Sequence, residues 1–348
     1  MSRMSKGLYI HIPFCLKKCG YCDFLSFDNM TMENEWAAYK DALICEIIST
    51  GQRFRPVDIQ TIYIGGGTPT IWPGHFLSEI LAVLPPAAEV TCEANPGTLT
   101  DEKISALVRG GVNRVSLGLQ AWQPRLLKAI SRAGTLESFQ ENYQALRSAG
   151  IGNISIDLMF ALPGQSLEDW DETLEKVADL QPEHISAYAL TPTDVDEETD
   201  RLMYHRCKTF LKERGYEQYE LSNFCRPGFE SKHNLKYWTL DPYIGLGLGA
   251  HSFENGVRWH NTTDIKKYIS QKDIPNDIRE GQVEADLSAE RMILGLRMTK
   301  GVPPDEYYRP WIDKMKADGL LQEESNRIFL TDLGMDLANI AMAGFLNT

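Results

Sequence analysis

Six short runs rich in β-branched residues recur through the first part of the chain. They are Leu8–Ile12, Thr61–Ile64, Val90–Glu93, Arg114–Gly118, Ile154–Leu158 and His184–Leu190, separated by helix-length amphipathic stretches. Consecutive parallel strands need a long crossover, and a helix supplies one. This alternation therefore predicts the α/β class, a parallel sheet with helices outside. Two of the intervening helices carry explicit start and stop signals. Thr135 is placed to cap a helix whose Phe139, Tyr143 and Leu146 share one face, with Gly150 as its stop. Thr100 precedes Asp101 and Glu102, acids suited to a first turn, and Gly110–Gly111 ends that segment. Six units are fewer than the eight of a closed TIM barrel. A partial (β/α)6 TIM-like barrel, laterally open to a large substrate, and an open doubly wound sheet both satisfy the periodicity.

The pattern changes after about Trp238. Gly245–His251 reads as a glycine-rich turn and Asp273–Gly281 as a polar loop. Helices are expected over Leu287–Met298 and Tyr307–Asp318. A small hairpin then runs through Gly319–Leu321 and Ile328–Leu330, and Thr331 caps a last helix to about Ala343. Helix, hairpin and helix make a smaller, mostly helical, winged-helix-like domain. The expected division is residues 1–240 and 241–348. That fold often binds DNA, but 48 acidic against 35 basic residues give a net charge of −13 and no basic stripe offsets it. A nucleic-acid partner is therefore not expected. No apolar run approaches a membrane span, and Met1–Ile12 lacks the apolar core of a signal peptide. The expected location is cytoplasmic, with peripheral membrane contact left open.

Seven cysteines occur, at 15, 19, 22, 45, 92, 207 and 225. Their odd number, with three inside eight residues, does not suit a disulfide framework. The other four read as ordinary buried or half-buried thiols. Cys15, Cys19 and Cys22 follow the first strand directly, spaced C-x3-C-x2-C. Three thiolates on a short loop can each bind one iron of a [4Fe–4S] cubane and leave the fourth iron open. A zinc site completed by His11 is the plain alternative, but structural zinc usually draws on a second knuckle, which is absent here. Further along, Gly65–Gly66–Gly67–Thr68 lets backbone approach a ligand closely. Glu93 lies at the end of the third strand, Gln120 at the end of the fourth, Arg132 on the helix after it and Asp157 in the fifth. Each alone is equally well read as a surface or supporting polar group. Ser231–Lys232–His233–Asn234–Leu235–Lys236–Tyr237–Trp238 offers a neutral imidazole beside aromatics that could stack on a macrocycle. Its plain reading is a locally bonded histidine with Tyr237 and Trp238 packing an interdomain seam. His11 is expected to pack near the cysteine loop and His251 and His260 to line the cavity entrance, with His75, His184 and His205 structural or exposed.

The cysteine motif, with Tyr21 before its third cysteine, resembles the radical S-adenosylmethionine superfamily. Its flanks are similar to the anaerobic coproporphyrinogen oxidase family and, within it, to the HemW branch of heme chaperones, from Leu8 to about Leu346. The resemblance implies a [4Fe–4S] cluster on Cys15, Cys19 and Cys22, with S-adenosylmethionine at the open iron. Tyr9, Gly66, Gly67, Thr68, Glu93, Gln120, Arg132 and Asp157 match the family's S-adenosylmethionine positions. His233 falls in its H-N-x-x-Y-W heme signature, with Cys225 a distant second candidate for heme iron. The implied partners are heme, a heme-accepting protein and an electron donor if the cluster is redox-active. The function so implied is heme binding and transfer. The alternative is an oxygen-independent coproporphyrinogen III oxidase, and a third reading is radical-driven heme breakdown or another porphyrin modification. Against the oxidase, Phe24 stands where true oxidases carry one more cysteine, and only 14 residues precede the first cluster cysteine. Two segments depart from the family: Ala161 replaces a glycine in Ala161–Gln165, and Thr191–Asp196 is not the usual sequence after the sixth strand.

Overall fold

The computed structural model describes residues 5–28, 33–52, 58–193, 195–270 and 278–346. The expected strands form a consecutive parallel set: β1 (Lys6–Ile12), β2 (Ile59–Gly66), β3 (Glu89–Ala94), β4 (Arg114–Gln120), β5 (Ile154–Phe160) and β6 (His184–Ala189). Their crossovers are helices α1 (Trp36–Gly51), α2 (Gly74–Val83), α3 (Asp101–Arg109), the short α4 (Pro124–Ala129), α5 (Leu136–Ser148) and α6 (Leu167–Asp179). The two caps form as expected. Thr135 and Ser138 make a reciprocal capping box, and the Thr100 hydroxyl accepts from the Lys103 N–H. Phe139, Tyr143 and Leu146 are all buried on the sheet side of α5.

Beyond β6 the chain is more strand-rich than the sequence suggested. Helix α7 (Glu197–Glu213) leads into an antiparallel pair, β7 (Glu217–Glu220) and β8 (Asn223–Cys225), with β8 against β6. Helix α8 (Lys232–Trp238), capped by Ser231, precedes β9 (Tyr243–Leu246), which runs parallel to β1 on its other side. The glycine-rich stretch is thus half strand. Gly245 sits so close to the His251 backbone that a Cβ would meet its carbonyl oxygen at 2.2 Å. Strands β10 (His251–Glu254), β11 (Val257–Asn261) and β12 (Arg279–Glu284) extend that side antiparallel, with α9 (Ile265–Ser270) between β11 and β12. Of the expected polar loop, residues 273–277 lie outside the described residues, and Arg279 onward is edge strand. Among the described residues the sheet order is β12-β11-β10-β9-β1-β2-β3-β4-β5-β6-β8-β7.

The large apolar core reaches Ile278, and a second begins at Ala289, built on α10 (Leu287–Leu296), α11 (Arg309–Ala317) and the hairpin β13 (Leu321–Glu324) and β14 (Arg327–Leu330). On packing we propose to place the division between the two units near residue 285 rather than at 240. The expected last helix is broken at Leu337 (φ −113°, ψ 32°) into α12 (Asp332–Asp336) and α13 (Ala338–Ala343). No helix among the described residues is long and apolar enough to cross a membrane.

Candidate functional site

Strands β2 to β6 and the loop after β1 enclose a cavity of about 380 Å³. That residues from five adjacent strands line one concavity shows that the sheet curls into a partial barrel. Cys15, Cys19 and Cys22 line it, together with Gly66, Gly67, Thr68, Glu93, Gln120, Arg132 and Asp157. Of the eight predicted S-adenosylmethionine positions, Tyr9 is the one that does not line the cavity. It lies underneath, its hydroxyl 2.9 Å from His11 Nδ1 and its ring beside Tyr63.

The cysteine loop is anchored from below. Phe14, fully buried, packs edge-on to Tyr39 and against Trp36 and Trp72. Two-residue strands pair Phe14 with Phe27 and Cys15 with Asp28. Above this base the three thiols are partly exposed and unpaired. Thr68 Oγ1 lies 3.8 Å from Cys15 Sγ, and Arg132 Nη1 the same distance from Cys19 Sγ. Among the described residues no three His, Cys, Asp or Glu side chains converge closely enough to hold a single metal ion. His11 is no fourth ligand in this arrangement, because its Nε2 is bonded to the Leu25 carbonyl and its Nδ1 to Tyr9. Three soft donors on one cavity wall, spread wider than one ion needs, fit a cluster in which each sulfur meets a different iron.

The glycine-rich turn works differently from the sequence expectation. Its amides are already engaged: Gly66 N–H donates to Glu93 Oε2, Gly67 N–H to the Ile12 carbonyl and Thr68 N–H to the Phe14 carbonyl. A Cβ on Gly67 would stand 2.4 Å from that Phe14 oxygen. Glycine is therefore required to dock β2 against the cysteine loop, and the ligand face is left to side chains and carbonyls. Glu93 also accepts from Tyr63 Oη at 2.8 Å, and burial pushes its carboxyl up to about 7. Gln120 has φ +76°, at a register shift between β4 and β5. A bulge of this kind re-aims a side chain, here into the cavity. Arg132 lies not on a helix but in the turn after α4, behind Ser131 in the left-handed region (φ +56°). Its guanidinium reaches Asn95 Oδ1 at 2.6 Å and the Gly118 carbonyl at 2.8 Å. Asp157 accepts from Ser116 and Ser155.

His233 does not line the cavity. It is fully buried, with Nδ1 2.9 Å from Thr61 Oγ1, Nε2 2.9 Å from Tyr237 Oη and its ring against Tyr63. Burial lowers its pKa to about 3. In this conformation neither ring nitrogen is open to iron. Cys225 is likewise buried in β8, its thiol pushed up to about 12. His251 and His260 pack against each other with tilted rings on β10 and β11, and neither lines the cavity. His184 is buried between Ser155 and Tyr219, His205 meets Asp336 and His75 packs edge-on to Phe76. Cys45 is exposed, contrary to expectation, while Cys92 and Cys207 are buried.

Cavity residues not expected from the sequence include Asn95, Arg114, Ser116, Ser186, Tyr188 and Asn234. Arg114, Ser116, Gly118 and Gln120 follow the period of two along β4, and that alternation was the available signal.

Residues 9–177 match the Radical SAM superfamily, and residues 284–337 match the HemN C-terminal domain. The heme chaperone HemW of Lactococcus lactis subsp. lactis is 34% identical, over 99% of this chain and 98% of that protein. The heme chaperone HemW of Bacillus subtilis is also 34% identical, over 98% and 99%. In three dimensions, coproporphyrinogen III oxidase HemN from Escherichia coli, a radical SAM enzyme, aligns with a TM-score of 0.82. That alignment covers 99% of this chain and 91% of that one at 21% identity, a likeness of fold.

Proposed function

The chain belongs to the radical SAM superfamily and, within it, to the family of the heme chaperone HemW; from that premise we propose that it binds heme and passes it to an acceptor protein, with a [4Fe–4S] cluster and S-adenosylmethionine in the barrel. The observation that carries this is the gathering of three unpaired thiols, Glu93, Gln120, Arg132 and Asp157 on one cavity wall. Cys15, Cys19 and Cys22 would hold three irons. A cluster with an open iron, when bound, supplies a Lewis-acidic site and an electron for a chelated sulfonium ligand.

The chain's own side chains give that ligand its orientation. Arg132, fixed by Asn95 and the Gly118 carbonyl, presents a planar cation next to Cys19, suited to a carboxylate. Glu93 suits an ammonium group, which would draw its proton off. Asp157, held by two serines, presents an acceptor to hydroxyls. Phe24, where oxidases carry another cysteine, is two-thirds exposed at the cavity and adds an apolar surface. This favours binding of a flat ligand over oxidative decarboxylation, which stays as the second reading. A cytoplasmic location belongs to the same reading, since it keeps the thiols reduced. So do the acceptor protein and an electron donor.

Anaerobically reconstituted protein, given heme and coproporphyrinogen III separately, tests the reading. We expect heme uptake without turnover, and loss of cluster absorbance in the Cys15→Ala, Cys19→Ala, Cys22→Ala triple variant. Decarboxylated product would replace the chaperone with the oxidase; intact cluster absorbance in the triple variant would remove the cysteine assignment.

A further inference from the structure

At the deep end of the cavity, Arg114 opens β4. Its side chain lines the cavity, yet the residue is only 2% exposed. Its Nε has no partner, and among the described residues no hydrogen bond or ion pair engages the guanidinium. The two carboxylates that share the cavity with it are held by other donors. Glu93 is taken by Tyr63 and Gly66, and Asp157 by Ser116 and Ser155. A buried cation without hydrogen bonds is strongly unfavourable. Its planar fork of donors is the shape that receives a carboxylate in two parallel bonds.

Position separates Arg114 from the cysteine end. Arg132 meets the Gly118 carbonyl and Cys19, and the rise of a strand sets the Arg114 backbone roughly 13 Å further along β4. Ser116, two residues on and on the same face, also lines the cavity, as do Ser186, Tyr188 and Asn234.

We propose that Arg114 is an anion-binding residue, the seat in the barrel interior for a carboxylate of the bound ligand. Under the heme reading above, on which the ligand's identity rests, that carboxylate is a propionate of the tetrapyrrole. The methionine carboxylate of S-adenosylmethionine, assigned above to Arg132, is the competing source of the same chemistry that the test separates.

The test compares reconstituted full-length wild type, R114K and R114M. One arm titrates iron protoporphyrin IX and its dimethyl ester; the other titrates S-adenosylmethionine and its decarboxylated form. Wild type is expected to prefer the free acid over the ester by tenfold or more, the scale of a charge-assisted hydrogen bond. R114M should lose that preference with little change for the ester, and R114K should keep part of it. Equal binding of acid and ester by wild type in the first arm, with the second arm's preference unchanged by substitution, overturns the proposal. Should R114M not fold, R114K and the wild-type ester comparison still decide. If neither tetrapyrrole binds, the heme reading fails separately and the adenosylmethionine arm decides. A preference there that R114K weakens keeps Arg114 as the carboxylate seat, and an unchanged preference removes it.

Discussion

Two residues show how a side chain's surroundings reassign what its motif suggests. His233 stands in a stretch that resembles a heme signature, but its imidazole bridges Thr61 on β2 and Tyr237 on α8 while supporting the Tyr63 ring. Tyr63 in turn bonds Glu93, so the histidine bears on the cavity through its neighbours. Replacing it leaves two buried hydroxyls unpaired. His233→Ala should lose about 2–4 kcal/mol of stability in denaturant titration. If iron takes its ligand elsewhere, the Soret band of heme bound to a folded His233→Gln variant should match wild type; a displaced band would return His233 to the iron. Ala161 holds φ +56°, a conformation that glycine adopts freely and alanine does not. It is buried, and its carbonyl accepts from Thr193 Oγ1 at 2.6 Å. Relief of the strain, roughly 1–2 kcal/mol, outweighs the entropy glycine adds to the unfolded chain. Ala161→Gly should therefore leave stability equal or raise it by up to about 1 kcal/mol; a loss greater than that would show the site is unstrained.

At the scale of elements, Glu46 on α1 ties the barrel to its antiparallel extension. Its carboxylate is buried and accepts from Tyr268 Oη on α9, the Gly247 N–H and Asn261 Nδ2 on β11. Burial still outweighs these bonds and raises the carboxyl from its ordinary 4.5 to about 7. Between those values the folded protein binds more protons here than the unfolded chain. This group's contribution is therefore greatest below pH 4.5, declines as pH rises to about 7 and is level above. Its size is on the order of 3 kcal/mol. Glu46→Gln should flatten that part of the pH–stability curve measured with urea, and an unaltered slope would place the titration elsewhere.

Across the whole molecule, the smaller unit is joined to the far edge of the sheet. Met298 bridges Glu220 on β7, and Thr299 N–H donates to the Tyr219 carbonyl. Arg297 pairs with the fully buried Glu220 and covers the Trp238 ring at 4.3 Å. On α7, His205 meets Asp336 and Lys208 meets Asp332. Losing one partner of a buried charge is more damaging than losing a surface pair. Arg297→Met should cost about 2 kcal/mol, seen as a lower melting temperature, whereas Lys208→Met should change it little. Equal effects would mean that the seam does not depend on Glu220.

The parallel sheet, its six strands, both helix caps and the cysteine loop were legible from residue pattern alone, because strand period, cap chemistry and ligand spacing are local. Strands β7, β8 and β10 to β12 were not, since short half-polar segments such as Glu217–Glu220 and Arg279–Glu284 become strands only by pairing with an existing edge. Tertiary structure alone decided that Arg132 turns back into the cavity, that the turn's amides hold the cysteine loop and that His233 is bonded on both sides. It also left Arg114 buried without a hydrogen-bond partner among the described residues. Each of these depends on which groups, distant in sequence, meet in space, and a hydrogen bond is assigned only when both of its ends are in place.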